Sequence, residues 1–368
     1  MSVIPKKPFR ICIVSEQLAG GGAERCSALL SQFFQANNCF VHHIIVIDRI
    51  EYEYSGEILN LGKLKKGGFN LFDRIKRLKI LNQFFKFNKF DFIIETRVVN
   101  RQVQEYFITK FIYNAPIIKM VHSYMTNLYF PKNKFLSKSI YSNSKKIISV
   151  SKTIQDKITN EYHYNQVETI YNPIDIDFIN KQSEKVLDLG FKFILVVGNM
   201  NTNVKQFDQL IHCYSKSDLP KMDIKLLILG EGLLKNSYFE QVHKLSLKDK
   251  IIFKGKIENP FSYYKLALYT LLTSKNEGFP TVLLESLACE TPVVAYNCLS
   301  GPSEIIVNNE NGILVENQNQ QQMILAMNEM ISNKKLYLHC KNNAKASVEK
   351  FSIQNIGNQW LQLFNSLK

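Results

Sequence analysis

Short apolar runs set the rhythm of this 368-residue chain. In its first half they cover Arg10–Ser15, Val41–Asp48, Phe90–Glu95, Pro116–Val121, Lys146–Ser149 and Val167–Tyr171. In its second half they cover Phe193–Val197, Ile224–Leu229, Ile251–Lys254, Leu268–Thr273, Pro292–Tyr296 and Gly312–Val315. Such runs, bounded by turn residues, read as buried strands, and the stretches between them carry helical spacing, as Leu29, Leu30, Phe33 and Phe34 do. Strand–helix alternation predicts parallel sheets with helices on both faces. The chain is long for one core, so the pattern predicts an α/β protein of two doubly wound, Rossmann-like domains facing each other across a cleft. Their expected limits are 1–175 and 176–350, followed by a helix over 351–368.

Glycine turns follow several strands. Gly20-Gly21-Gly22-Ala23-Glu24-Arg25 comes directly after the first, and a turn without Cβ atoms lets backbone approach a phosphate closely. It is not the dinucleotide fingerprint, because Arg25 stands at the third small position. Gly198-Asn199, Gly230-Glu231-Gly232 and Gly255 repeat the arrangement in the second half. His122 ends a strand on the side where open α/β sheets bind ligands.

The most informative stretch is Asn276–Leu287, a strand–turn–helix segment between two apolar runs. Pro280 suits the first helical position, leaving the Thr281 and Val282 amides to point out of the helix start toward an anion. Glu277 before the helix and Glu285 within it bracket that seat, and ionised carboxylates accept hydroxyl hydrogen bonds well. Hydroxyls on either side of a diphosphate describe a nucleotide-sugar.

Composition narrows the remaining choices. Hydrophobic content of 45% with 21% charged is ordinary for a globular chain. No apolar run reaches the roughly 18 residues of a membrane span, and Met1–Arg10 has no signal-peptide core, so a cytoplasmic location is expected. Seven scattered cysteines without a Cys-x-x-Cys pair read as reduced thiols. The net charge of +14 asks for a polyanionic partner. Nine basic residues and one acid, Asp73, fall between Lys63 and Lys89, where Phe72, Ile75, Leu78, Leu81 and Phe85 recur at helical steps. This basic amphipathic helix reads either as a sheet-packed helix with solvated lysines or as a face for an anionic membrane surface, where each cation contributes about 1 kcal/mol. Nucleic acid is disfavoured, because the basic residues cluster on one helix without a single-strand-binding motif.

Glu277-Gly278-Phe279-Pro280-Thr281-Val282-Leu283-Leu284-Glu285, followed by Thr291-Pro292-Val293-Val294-Ala295, Gly301-Pro302-Ser303-Glu304 and Asn311-Gly312, resembles the C-terminal signature of glycosyltransferase family 4 over about forty residues. The resemblance implies the GT-B architecture, with the terminal helix crossing back to the first domain, and a retaining enzyme that uses a nucleotide-sugar donor with no required metal or other cofactor. It also implies donor contacts from Gly21, Gly22, Gly198, Lys205, Glu277, Gly278, Phe279, Pro280, Thr281, Val282 and Glu285, with Lys254 near the nucleobase and His122 near the sugar and β-phosphate. Catalysis would fall to Glu277, His122 and Lys205. The family's usual arginine after the glycine is Asn199 here, so one of two expected cations is missing. Asn172-Pro173-Ile174-Asp175 matches an interdomain motif, and reading Asp175-Ile176-Asp177 as the metal motif of the other transferase fold suits the chain less well than a linker.

Together these readings predict transfer of a hexose or N-acetylhexosamine, from UDP by preference, to a glycan or lipid-linked acceptor in bacterial surface glycan assembly. The enzyme would sit on the inner face of the cytoplasmic membrane, held there through 63–89. The competing readings are a non-catalytic basic membrane or nucleic-acid-binding protein, and a GT-B phosphorylase or epimerase.

Overall fold

The computed structural model describes residues 8–65, 71–131, 133–141 and 144–368. Residues 1–7, residues 66–70 of the basic stretch, Lys132 and residues 142–143 lie outside them. The chain divides into two units, one made of Met1–Pro173 with Ile353–Lys368 and the other of Ile174–Ser352.

The first unit holds a seven-stranded sheet of β1 (Arg10–Ser15), β2 (Phe40–Ile45), β3 (Glu57–Asn60), β4 (Phe92–Glu95), β5 (Ile117–Val121), β6 (Ser144–Ser149) and β7 (Val167–Thr169). Their order is β3-β2-β1-β4-β5-β6-β7, with parallel pairing throughout. The second unit has β8 (Phe193–Val197), β9 (Lys225–Leu229), β10 (Ile251–Gly255), β11 (Thr270–Leu272), β12 (Val293–Tyr296) and β13 (Gly312–Val315), in the order β10-β9-β8-β11-β12-β13 and again parallel. Each sheet reverses its winding at its first strand, the place where such folds bind ligands beyond the strand ends.

The crossovers of the first unit are α1 (Gly22–Ala36), α2 (Leu71–Phe87), α3 (Gln102–Phe107), α4 (Lys134–Tyr141) and α5 (Lys152–Tyr162). Those of the second are α6 (Ile176–Ser183), α7 (Phe207–Lys216), α8 (Lys235–Lys244), α9 (Phe261–Leu266), α10 (Thr281–Ala288), α11 (Pro302–Ile305), α12 (Gln320–Ser332) and α13 (Lys334–Ser347). The last helix, α14 (Ile353–Leu367), returns to the first unit and packs along α1. Gly357 permits this, since a Cβ there would lie 2.4 Å from the Phe33 ring. Trp360 is fully buried, and Phe364 stacks on Phe92 at 4.9 Å and meets Phe34 at 5.4 Å.

Two local features depart from the sequence reading, and the use of Asp175 agrees with it. The edge strand β3 is absent from the apolar runs read above; it pairs with β2, but Glu57 is exposed and residues 58–60 are only half-buried, which leaves no apolar run to read. The Asp175 carboxylate accepts the Phe178 N–H at 2.9 Å and so caps α6, a structural use for the first aspartate of the Asp-x-Asp pair. The apolar residues of the basic helix do not share one face. Leu81 and Phe85 are buried against Ile108 and Ile112, whereas Phe72 is 81% exposed.

Among the described residues, no helix is long and apolar enough to cross a membrane.

Candidate active site

In the second unit the carboxyl ends of the strands converge through backbone. Gly230, at φ +146°, sits so close to Gly198 that a Cβ would stand 1.9 Å from the Gly198 carbonyl oxygen, and its N–H donates to the Gly255 carbonyl at 2.8 Å. No other residue fits at that φ and spacing. The Lys205 stem packs beside Gly198, its Cγ 3.5 Å from where a Cβ would stand, an ordinary contact distance. Lys205 therefore lies across the end of β8.

Its backbone is held from two directions. The Thr273 hydroxyl donates to the Lys205 carbonyl at 2.9 Å. Gln206, buried and left-handed at φ +51°, exchanges amide hydrogen bonds of 2.9 and 2.8 Å with Gln318. A non-glycine residue kept in this region is a local strain that the double amide contact offsets. The Lys205 ammonium then reaches the Glu277 carboxylate at 2.6 Å, both side chains remaining partly exposed.

Glu277 is fixed by the turn it belongs to. Its N–H donates to the Leu299 carbonyl at 3.0 Å, and the Ser300 hydroxyl donates to the Gly278 carbonyl at 2.7 Å. Gly301, at φ +100°, packs where a Cβ would meet Pro280 Cδ at 2.4 Å. Sequence reasoning missed Gln206, Gln318, Ser300 and Gly301 as supports. Only Gly301-Pro302 carried a signal, because the glutamine pair is separated by more than a hundred residues.

Pro280 occupies the cap position rather than the first helical turn, because its ψ of 97° is extended, so α10 begins one residue later than expected. No side chain caps this start, the Leu283 N–H turns back to the Pro280 carbonyl, and the Thr281 and Val282 amides point out of the helix. The Phe279 side chain is buried against Phe351 at 5.2 Å, which leaves only its backbone facing the turn.

Glu285 has other surroundings than Glu277. It is 5% exposed, and its carboxylate accepts the Tyr264 hydroxyl at 3.2 Å. Asn199 is engaged locally, its side-chain oxygen accepting the Asn201 N–H at 2.7 Å. Lys254 is exposed on β10. The structure thus joins Lys205 to Glu277 beside the α10 start and gives Asn199, Lys254 and Glu285 separate settings.

In the first unit, His122 lies just past β5 with both ring nitrogens shielded from solvent. Burial first and the Lys119 ammonium second hold its pKa down to about 4, against a smaller opposing effect of Asn172. The imidazole is neutral near pH 7, suited to hydrogen bonding without adding charge. Gly21 caps α1, and the Glu24 carboxylate, three residues on, reaches back to the Gly21 N–H. A Cβ on Gly21 would stand 2.5 Å from a Glu24 carboxylate oxygen. The sequence did hold this signal, a capping-box glutamate at the third helical position. An external phosphate at Gly21 and Gly22 would compete with that internal anion.

A cation and a carboxylate beside open helix amides, at the strand ends of a doubly wound unit, suit a ligand carrying both phosphate and hydroxyl groups. The class so defined is the glycosyltransferases. Residues 20–178 match the family described as Glycosyltransferase Family 4, and residues 177–347 match the one described as Glycosyl transferases group 1. The N-acetylgalactosamine-N,N'-diacetylbacillosaminyl-diphospho-undecaprenol 4-alpha-N-acetylgalactosaminyltransferase of Campylobacter jejuni is 30% identical over 349 residues, 91% of this chain and 93% of that relative. The poly(ribitol-phosphate) alpha-N-acetylglucosaminyltransferase of Staphylococcus aureus is 28% identical over 237 residues, 62% of this chain and 46% of that relative. Among solved structures, Anabaena HepE in complex with UDP and glucose superposes with a TM-score of 0.78 at 18% identity, over 97% of this chain and 100% of that one, a likeness of fold. The chain belongs to glycosyltransferase family 4, and its two units are the Rossmann-like domains of the GT-B fold.

Proposed function

We propose that this glycosyltransferase moves a hexose or N-acetylhexosamine from a nucleoside diphosphate sugar, UDP-linked by preference, to a glycan or lipid-linked acceptor, with retention at the anomeric carbon. The observation that carries this reading is the 2.6 Å pair between Lys205 and Glu277 beside the open start of α10. A diphosphate offers Lys205 a stronger anion than Glu277 does and can also take the Thr281 and Val282 amides. Donor binding then releases Glu277 to accept sugar hydroxyls, so one ligand rearranges both groups. The Lys205 charge and the amides stabilise the departing diphosphate without a metal.

Two-step retention needs a carboxylate nucleophile. A same-face displacement does not. The bond from anomeric carbon to phosphate oxygen breaks while the acceptor oxygen bonds to that carbon, and the acceptor proton passes to the leaving phosphate oxygen. The C. jejuni relative's name includes a diphospho-undecaprenol carrier, and HepE was solved with UDP and glucose. Both support a UDP-sugar donor and a lipid-linked acceptor in bacterial glycan assembly, with the enzyme peripheral on the inner face of the cytoplasmic membrane through the basic stretch 63–89.

Thermal-shift measurements against a panel of nucleotide-sugars, run with assays of nucleotide release and NMR of the product anomer, test this reading. A UDP-sugar should raise the melting temperature, and the product should keep the donor's anomeric configuration. A flat panel removes the donor assignment, and an inverted product removes the displacement.

A further inference from the structure

The helix that follows β4 carries an unusual surface. α3 runs into a π-helical turn over Ile108–Ile112, closed by the Tyr113 N–H on the Ile108 carbonyl at 2.9 Å. Ile108 and Ile112 point into the core, so the opposite side faces outward with Val103 78%, Phe107 47% and Phe111 65% exposed. The Phe107 and Phe111 rings lie 5.2 Å apart.

Leu81 and Phe85 of α2 share the same buried cluster as Ile108 and Ile112, so the two helices are neighbours. α2 adds its own outward edge, Phe72 at 81% and Ile75 at 44% exposure. On the same edge of α2, Lys76 and Lys79 are exposed. Arg74 is held below its ordinary pKa by local desolvation first, then by the nearby Arg101 and Arg77 guanidiniums. Of the acids in this region, Glu95 and Glu105 are buried and turned inward onto Arg97, while Asp73 beside Phe72 is half-buried.

We infer that the N-terminal half of α2 and the helical segment 102–111 form one two-part docking surface for an anionic lipid bilayer, with Phe107 and Phe111 entering the headgroup layer while Lys76 and Lys79 meet lipid phosphates. This deepens the membrane reading proposed above for 63–89 and rests on it. Its new element is 102–111, which contributes apolar insertion where α2 contributes charge. Charge complementarity selects the occupant. A second copy of this +14 chain would bring like charges together. A nucleic acid would leave the aliphatic Ile75 and Val103 without stacking partners, whereas hydrocarbon accepts them together with the phenyl rings.

Co-sedimentation of the full chain with vesicles of phosphatidylglycerol and phosphatidylcholine, against phosphatidylcholine alone, tests the surface. The chain should bind the anionic vesicles only. F107S/F111S should weaken binding about tenfold or more, as losing two inserted apolar side chains implies, and K76E/K79E should abolish it. Turnover on a water-soluble acceptor and the melting temperature should match wild type in both variants. Three results would overturn the proposal: no binding by wild type, full binding by F107S/F111S, or a wild-type dimer in solution that F107S/F111S dissociates. Vesicle binding that survives while no nucleotide-sugar is turned over would remove the transferase reading and leave the docking surface intact.

Discussion

The two sheets share a strand order around their first strands and differ in what the strands contain. One strand past the second unit's switch point, β11 pairs with β12 through Leu271 opposite Val294 and Leu272 opposite Ala295. At the corresponding place in the first unit, β4 pairs with β5 so that Glu95 stands opposite Lys119, both essentially without solvent exposure. Burial alone would push the Glu95 carboxyl up, but Arg97 and Lys119 hold it below its ordinary range. Arg97 binds Glu95 at 3.0 and 2.6 Å and also reaches Glu105, while Tyr113 donates to Glu95 at 2.6 Å. Lys119 donates to the Arg97 carbonyl. One unit thus keeps apolar strands and places its chemistry in loops locked by glycine backbone. The other embeds charge in the strands themselves, and its stability and its chemistry are harder to separate.

Breaking the charge network should have the largest effect. Arg97→Leu strands two buried carboxylates and should cost about 3–5 kcal/mol of stability in urea denaturation, as removing one side of a buried ion pair does. A loss below about 1 kcal/mol would mean the cluster is hydrated, and the contrast between the sheets would dissolve. Next comes Glu277→Gln, which should lower turnover roughly 100-fold, about 2.7 kcal/mol in barrier, at nearly unchanged nucleotide affinity. Equal losses in both would make Glu277 a binding group rather than a catalytic one.

A pH-dependent effect is the most selective for the first unit. The folded pKa of His122, about 4, lies below the value near 6.5 of an unfolded histidine. Between those values the unfolded chain binds the extra proton, so stability falls as pH drops, by about 1.4 kcal/mol per pH unit. Glu16 and Glu24 oppose this, because burial raises their pKa and the folded chain takes up their protons first. The difference between wild type and His122→Gln isolates the imidazole: calorimetry from pH 6.5 to 4 should show a shallower decline in the variant, and parallel curves would contradict a buried neutral ring.

The same contrast explains what the chain revealed before folding. Glycine turns at strand ends leave local marks, so Gly198 and the 276–287 turn could be read from spacing, and Lys205 from the family resemblance. The Glu95–Arg97–Glu105–Tyr113–Lys119 network has no such mark, because its members come together only when β4, α3 and β5 pack. α2 misled for a related reason. Helical periodicity grouped Phe72 with Phe85, but only the C-terminal half of the helix finds a core to cover, and the apolar spacing alone does not tell a buried stripe from an exposed one. The start of α10 was misjudged by a single residue, the ordinary uncertainty of a helix boundary.

The return of α14 to the first unit orders events on the ribosome. Residues 174–352 are contiguous and can close their core as soon as they emerge, whereas Phe9, Phe34 and Phe92 await Trp360 and Phe364 from the chain's far end. The half synthesised first is therefore the half completed last, and until translation reaches 353–368 its aromatic wall stays open to chaperones and to misassembly.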